Sequence, residues 1–349
     1  MNKRTDVAKK TTKTTKRNTS KRKTSGTRTA KRTGINSIIR RIILTAIAVT
    51  AILVAAVSYM LLKIAVNPAH SGKDIDGSYT YMFSEYPFLK RWTDSLKINN
   101  ALKDTTIYAA DGTRLHALYA KAPRKTKKTA VIIHGYTDNA VRMLHIGYLY
   151  NHDLGYNILL PDLRNSGKSE GTHIQMGWND RLDVMRWMDI ADSIFGGNTK
   201  MVVHGISMGG ATAMMTAGEK QPPYVKAYVE DCGYTSVWDE FKHEINNDYG
   251  LPDMPFLYIA DLFCQWEYGW GFKEASAIEQ IKKCDTPMLF IHGGADTFVP
   301  TEMVYRLYQA KPRNKEIWVL PGVMHARSYH DKRKEYTETV RDFLSMYIY

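Results

Sequence analysis

The chain has 349 residues, of which 44% are hydrophobic and 11% aromatic, so it can bury a substantial core and is not disordered throughout. Its formal net charge of +13 is concentrated at the N-terminus: residues 1–41 hold 15 of the 48 basic side chains and one of the 35 acidic ones. The rest of the chain is close to neutral, which argues against a nucleic-acid-binding globular body.

Residues 1–37 form a basic tail without aromatic residues, which we predict to be disordered because it cannot bury enough apolar surface. The following segment, residues 38–66, contains 21 consecutive uncharged residues from Ile42 to Leu62. As a helix these residues would span roughly 31 Å, the thickness of the hydrocarbon layer of a bilayer. A cleaved signal peptide is the alternative, but no small-residue cleavage site follows Leu62. We therefore predict a transmembrane signal-anchor helix at residues 38–66.

The charge around this anchor predicts its orientation. Basic residues on one side of a membrane span are usually retained in the cytoplasm. We expect a single-pass protein of the cell membrane with a cytoplasmic N-terminus and an extracytoplasmic body, which contacts the membrane through residues 42–62. An alternative is that the tail itself binds anionic lipid or nucleic acid.

The body begins with a connector, residues 67–102, that has amphipathic helix character, and continues as one domain at residues 103–349. In this domain short apolar runs alternate with helical patterns, which is typical of a mostly parallel sheet with helices on both faces. The pair Asp111-Gly112 predicts a β-hairpin at its start. The later predicted strands are 130–133, 157–160, 201–203, 227–229, 288–291 and 317–320. The predicted helices are 139–151, 178–193, 208–219, 301–310 and 330–346.

One long segment interrupts this alternation. Residues 234–284 lie between two predicted strands and are rich in large aromatic side chains. Connections of this length usually carry their own elements or a function. We predict a small helical cap over the ends of the strands, with an ordinary helical excursion packed on the core as the alternative.

The strongest chemical motif is G-x-S-x-G at residues 205–209, directly after a predicted strand and before a helical pattern. Flanking glycines permit a sharp turn that presents the serine at the carboxyl edge of the sheet and at a helix N-terminus. The partial positive charge there favours an anion. We predict that Ser207 is a nucleophile.

A serine hydroxyl needs a base, and the base needs an orienting acid. Asp296 and His325 each lie in a loop after a later predicted strand, so all three groups would meet at the carboxyl edge of the sheet. We predict Asp296 as the acid and His325 as the base, with Asp231 as the alternative acid. The other histidines near strand ends or in the last helix are predicted to pack or to orient loops: His134, His204, His292 and His330.

The reaction also needs donors for a developing oxyanion. The segment Ile133-His134-Gly135-Tyr136 follows the first parallel strand. We predict that the backbone N–H groups of Tyr136 and Met208 form the oxyanion hole.

Taken together, these motifs resemble the characteristic motifs of the α/β-hydrolase superfamily. Within this superfamily the sequence resembles the serine-aminopeptidase-like and YqkD-like bacterial hydrolases. The resemblance covers about residues 100–345, and Asn165 stands where many relatives carry glycine. It implies an α/β-hydrolase fold and hydrolysis through an acyl-serine intermediate, and it leaves the substrate open. The segments that carry it are 134–135, 161–169, 205–209, 293–300 and 321–325.

We therefore expect a membrane-anchored serine hydrolase that cleaves a carboxylic ester or a related acyl bond in a small-molecule or lipid-like acyl substrate. No metal or organic cofactor and no nucleic acid partner for the body is expected. Two alternatives are a serine peptidase of the aminopeptidase-like kind on the same residues, and a non-catalytic tethering or binding protein on a hydrolase scaffold. Pairing of Cys264 with Cys284 in an oxidising compartment stays open.

Overall fold

The computed structural model describes residues 26–69 and 71–349, and its first element is the 41-residue helix α1 (Gly26–Val66). The predicted boundary of the disordered tail at residue 37 is therefore wrong for residues 26–37, which are helical; residues 1–25 lie outside the described part. The physical reason is that extending an existing helix costs far less than nucleating one. The apolar segment thus continues as helix into its basic flank.

The apolar part of α1 is suited to a membrane. The stretch Gly34–Val66 contains an 18-residue window with a mean hydropathy of 2.4, and only 6% of that window is buried. A core helix of a soluble protein would be mostly buried. By length and composition this helix is suited to be a membrane anchor or a signal sequence.

The connector folds into two helices, α2 (Ile75–Glu85) and α3 (Phe88–Ile98). The Asp74 side chain caps α2 by accepting a hydrogen bond from the Gly77 N–H at 2.9 Å. On α3 one face is buried, including Leu89 and Trp92, so the amphipathic character predicted for this segment reflects packing onto the domain.

The domain is built on one eight-stranded sheet with the order β1-β2-β4-β3-β5-β6-β7-β8. The pairs β1–β2 and β2–β4 are antiparallel, and all other neighbours are parallel. The strands are β1 (Leu102–Tyr108), β2 (Arg114–Ala120), β3 (Lys128–Ile133), β4 (Asn157–Pro161), β5 (Lys200–Ile206), β6 (Val225–Asp231), β7 (Met288–Gly293) and β8 (Lys315–Leu320). The mostly parallel sheet agrees with the prediction.

Helices cover both faces of the sheet. The remaining helices are α4 (Leu144–Tyr148), α5 (Asp180–Ile194), α6 (Met208–Ala217), α7 (Val237–Asn247), α8 (Asp253–Tyr268), α9 (Ala277–Ile281), α10 (Glu302–Ala310), α11 (Ser328–Asp331) and α12 (Arg333–Ser345). Alternate side chains of β3 belong to two different cores: Val131 and Ile133 pack with α5, α6, α9 and α10, while Ala130 and Ile132 pack with α3, α4 and α12. A strand buried on both faces explains the continuous apolar run in its sequence.

Two predicted helices are subdivided. Residues 139–151 form a 3₁₀ turn (Ala140–Met143), α4 and a π-helical turn (Leu149–Asp153) instead of one helix. The Asn139 side chain accepts hydrogen bonds from two successive N–H groups at its start, which favours the tight first turn. The segment predicted at 330–346 is interrupted at Lys332, whose φ of −132° and ψ of 41° are not helical.

The long segment between β6 and β7 contains α7, α8 and α9. The first two pack on each other, and both contribute to the wall of the cavity described below. Helix α9 instead packs against α6 and α10. The part of this segment that lies over the strand ends is therefore α7 and α8.

Candidate active site

Ser207 occupies the sharp turn between β5 and α6. Its backbone has φ = 56° and ψ = −122°, a conformation that residues with a side chain rarely adopt. Glycine on both sides allows the turn, because a Cβ on Gly205 would lie 2.0 Å from the Gly209 carbonyl oxygen and a Cβ on Gly209 would lie 2.2 Å from that of Ile133. The Ser207 N–H donates to the Asp231 carbonyl at 2.8 Å and holds the turn in place.

The predicted acid, base and nucleophile meet at this turn. His325 Nε2 lies 2.9 Å from Ser207 Oγ, and His325 Nδ1 lies 2.7 Å from Asp296 Oδ2. The other carboxylate oxygen of Asp296 accepts the backbone N–H groups of Phe298 and Val299, each at 3.0 Å. The acid is thereby fixed in orientation, and the imidazole bridges it to the serine hydroxyl.

Asp296 has a second histidine partner that sequence reasoning assigned to packing. His292 Nε2 lies 3.3 Å from Asp296 Oδ2 and 3.0 Å from the Val299 carbonyl. Burial alone would raise the pKa of Asp296, but hydrogen bonds from His292 and His325 outweigh it and hold this pKa below its usual range. The carboxyl is therefore ionised at neutral pH. The available sequence signal was the position of His292 at the end of β7, four residues before Asp296.

The alternative acid has other partners. The Asp231 carboxylate accepts the hydroxyl of Ser328 at 3.1 Å and that of Tyr336 at 3.0 Å. Burial raises the pKa of Asp231 to about 6. The carboxylate that lies within hydrogen-bond distance of His325 is that of Asp296.

The remaining histidines make local contacts. His134 Nε2 accepts a backbone N–H of the loop after β4 at 2.9 Å. His204 lies between the hydroxyls of Tyr150 and Tyr336, each at 3.0 Å. His330 lies in α11 rather than in the last helix. These contacts are those of residues that pack or orient loops.

The two predicted oxyanion donors belong to segments that adjoin Ser207. Met208 is the first residue of α6, where helix N–H groups have no partner within the helix. The loop after β3 approaches closely, since a Cβ on Gly135 would lie 3.5 Å from Ser207 Cβ. The next residue, Tyr136, donates its hydroxyl to the Ala65 carbonyl in the last turn of α1 at 2.7 Å.

A cavity of about 230 Å³ opens at the serine. Its wall is mainly apolar and combines the last turns of α1 with α7, α8 and the loops that carry the site. The lining residues are Leu61, Leu62, Ile64, Ala65, Tyr136, Met176, Ser207, Met208, Tyr234, Glu240, Phe241, Glu244, Ile245, Tyr249, Phe256, Leu257, Ala260, Phe272 and Phe298.

Two carboxyl groups interrupt the apolar wall. Glu240 is only 4% exposed, and its Oε2 has no hydrogen-bond partner among residues 26–69 and 71–349. Burial raises the pKa of Glu240 well above its usual range and that of Glu244 to about 7. At neutral pH Glu240 is therefore protonated and Glu244 is partly protonated, so the cavity carries less negative charge than two ordinary carboxylates would give it. Sequence reasoning missed both groups, because only the fold turns them toward Ser207.

The cysteines are buried free thiols, which favours the unpaired alternative for Cys264 and Cys284. The Cys232 thiol lies near Asp296 and His325, and the three potential ligand atoms are within 4.8 Å of one another. Burial raises the pKa of Cys232 well above its usual range, so the thiolate that a metal ion needs is disfavoured. Asp296 and His325 are also engaged with each other.

The fold and this site define an α/β hydrolase, as the sequence resemblance implied. The model of the prolyl oligopeptidase family matches residues 145–348. The chain belongs to the prolyl oligopeptidase family.

Similar proteins and structures agree with this assignment. The uncharacterized protein YqkD of Bacillus subtilis is 32% identical over 226 residues, covering 65% of this chain and 74% of that protein. The α/β hydrolase domain-containing protein WAV2 of Arabidopsis thaliana is 25% identical, and the alignment covers 72% of this chain and 81% of that protein. The solved esterase Pf2001 of Pyrococcus furiosus is 23% identical, with a TM-score of 0.58 over 72% of this chain and 95% of that one. These comparisons confirm the predicted fold class.

Proposed function

We propose that this protein is a serine hydrolase that cleaves carboxylic esters through an acyl-serine intermediate. Ser207 Oγ attacks the acyl carbonyl while His325 Nε2 takes its proton, and Asp296 holds the imidazole in the required tautomer. The N–H groups of Tyr136 and Met208 stabilise the oxyanion. His325 then protonates the departing alcohol. Water releases the acyl group by the same route in reverse.

The observation that supports this mechanism best is the continuous hydrogen-bonded path from Asp296 through His325 to Ser207, with distances of 2.7 and 2.9 Å. The serine stands in a strained turn, and strain of this kind persists where the surrounding structure imposes it. Its hydroxyl faces a cavity large enough to admit an acyl group. The same arrangement would have no evident role in a non-catalytic tethering protein.

An ester is the preferred substrate class because the cavity wall is mainly apolar and its two carboxyl groups have raised pKa values. The solved structural neighbour from Pyrococcus furiosus is named an esterase. We further propose that α1 stays attached as a membrane anchor with the hydrolase domain on the extracytoplasmic side. No metal or organic cofactor takes part in the proposed steps.

A serine peptidase is the second candidate, favoured by the family to which the chain belongs and by the two carboxyls in the cavity. An aminopeptidase would use such groups as carboxylates to hold a substrate ammonium group. Replacing Glu240 and Glu244 by glutamine separates the candidates. If the two carboxyl groups only line the cavity, ester turnover should persist in both variants. If the wild type hydrolyses aminoacyl amides and either variant loses this activity, the peptidase would be supported.

The direct test is labelling of the full-length protein with a fluorophosphonate, which reacts with activated serine nucleophiles. We expect labelling and turnover of a short water-soluble ester in the wild type. Ser207→Ala should lose both, by several orders of magnitude in turnover, with little change in thermal unfolding. Wild-type turnover in Ser207→Ala would contradict the mechanism. A wild-type protein that neither labels nor turns over esters or amides would leave the non-catalytic alternative.

A further inference from the structure

The end of α1 is part of the hydrolase domain. Ser58, Leu62 and Val66 are spaced four residues apart on one face of the helix and are almost completely buried. Leu61 and Leu62, the last residues of the uncharged 21-residue segment, also line the cavity at Ser207. A tether that merely held the domain near a membrane would not need this packing.

Helix α8 packs against the same end of α1. The ring of Phe263 contacts that of Tyr59 edge to face, with 5.2 Å between the ring centroids. Lys63 Nζ donates to Glu267 Oε1 at 2.8 Å and to the Tyr268 hydroxyl at 2.7 Å. Since Lys63 directly follows the apolar segment, these contacts hold α8 at the level where that segment ends.

Helix α8 is apolar on two sides. Leu257 and Ala260 are buried and line the cavity. On another side Tyr258, Leu262 and Trp266 form a stripe with a spacing of four residues, and these residues are 40, 63 and 78% exposed. A helix that is apolar on several sides is normally buried in a protein or in a membrane. Large exposed apolar side chains in a contiguous stripe indicate a partner surface.

The position of this stripe indicates which surface covers it. It lies on the helix that is attached to the outer end of a segment long enough to span a bilayer. Tryptophan and tyrosine favour the membrane–water interface, because their rings combine an apolar body with a polar group. Helices with exposed apolar residues of this kind bind in the plane of the interface.

We propose that the stripe of Tyr258, Leu262 and Trp266 inserts into the outer part of the bilayer beside α1, so that the cavity at Ser207 receives the acyl chain of a lipid ester from the membrane. This inference rests on the proposed ester hydrolysis and specifies its substrate class. Two walls of the cavity, the end of α1 and the inner side of α8, then lie at the lipid interface. A long acyl chain enters an apolar cavity without first crossing water.

The test uses the full-length protein reconstituted in phosphatidylcholine vesicles. The Leu262→Ser/Trp266→Ser variant is compared with a control that removes two exposed apolar side chains elsewhere, Ile98→Ser/Leu182→Ser; none of these four residues lines the cavity. Two substrates are used: a short water-soluble ester and a long-chain ester embedded in the vesicles. The α8 variant should lose at least tenfold in turnover of the embedded ester and keep its turnover of the soluble ester, while the control keeps both.

A second measurement reports the position of Trp266 directly. Vesicles that contain brominated phosphatidylcholine should quench part of the tryptophan fluorescence of the wild type, and this part should be missing in Trp266→Phe. Equal quenching in both proteins, or equal loss of both esters in the α8 variant, would overturn the inference. Absence of labelling at Ser207 and of turnover of either ester in the wild type would instead contradict the proposed ester hydrolysis.

Discussion

Asp296→Asn is the sharpest test of how the acid acts. In the wild type one carboxylate oxygen accepts the N–H groups of Phe298 and Val299, and the other accepts His325 Nδ1–H. His292 Nε2 lies 3.3 Å from this second oxygen. In the variant the amide oxygen should take the place facing the two backbone donors, because the amide nitrogen cannot accept from them. The amide NH₂ then faces His325.

This orientation forces the wrong tautomer on the imidazole. Nδ1 must accept from the amide, so the proton moves to Nε2, which lies 2.9 Å from Ser207 Oγ. A protonated Nε2 cannot take the serine proton. We expect kcat to fall by roughly 10⁴, which corresponds to about 5.5 kcal/mol in the barrier.

The assay is the steady-state turnover of a short ester, with thermal unfolding as the check on folding. Asp231→Asn is the matched control, because that carboxylate is buried and accepts two hydroxyls without a hydrogen bond to His325. It should lose stability, at about 1 kcal/mol for each weakened hydrogen bond, and much less activity. A loss below tenfold in Asp296→Asn, or a larger loss in Asp231→Asn, would refute the assignment.

Three further predictions concern stability and topology. Burial raises the pKa of Glu230 to about 8, above its unfolded value of about 4.5, so this carboxyl costs stability as the pH rises between these two values. Glu230→Gln should therefore flatten the decline in Tm between about pH 5 and 8. Gly209→Ala should lower both Tm and kcat, because its Cβ would meet the Ile133 carbonyl at 2.2 Å and displace the turn at Ser207. Protease added to intact protoplasts should digest an epitope after Tyr349 and spare one before Thr5, and the opposite pattern would reverse the orientation.

Much of the fold was predictable because its signals are local. Continuous apolar runs mark strands buried on both faces, and the structure places a strand at each predicted run. The turn at Ser207 was equally predictable from the sequence, since the two glycines that prevent steric clashes in it are two residues away on either side. The N-terminal boundary of α1 was not, because helix propagation depends on the neighbouring apolar turns and not on the composition of residues 26–37.

Only the tertiary structure brings the side chains of the site together. Their order in the sequence and their positions at strand ends predicted Ser207, Asp296 and His325 as the site residues. The 2.9 Å contact between His325 and Ser207, however, joins atoms 118 residues apart, and only the folded chain shows it. The second histidine on Asp296 could not be read from its sequence position alone, since a histidine at a strand end has many possible partners.

The same distinction applies to the two properties of α1, its apolar length and its place in the wall of the cavity. Hydropathy alone identified the 21 uncharged residues as long and apolar enough to span a membrane, because this property depends on the segment itself. That the end of this span forms part of the cavity at Ser207 depends on contacts such as Lys63 with Glu267, 204 residues away. Such contacts form only when distant segments pack together, because the free energy that selects them comes from shape and charge complementarity across the whole fold.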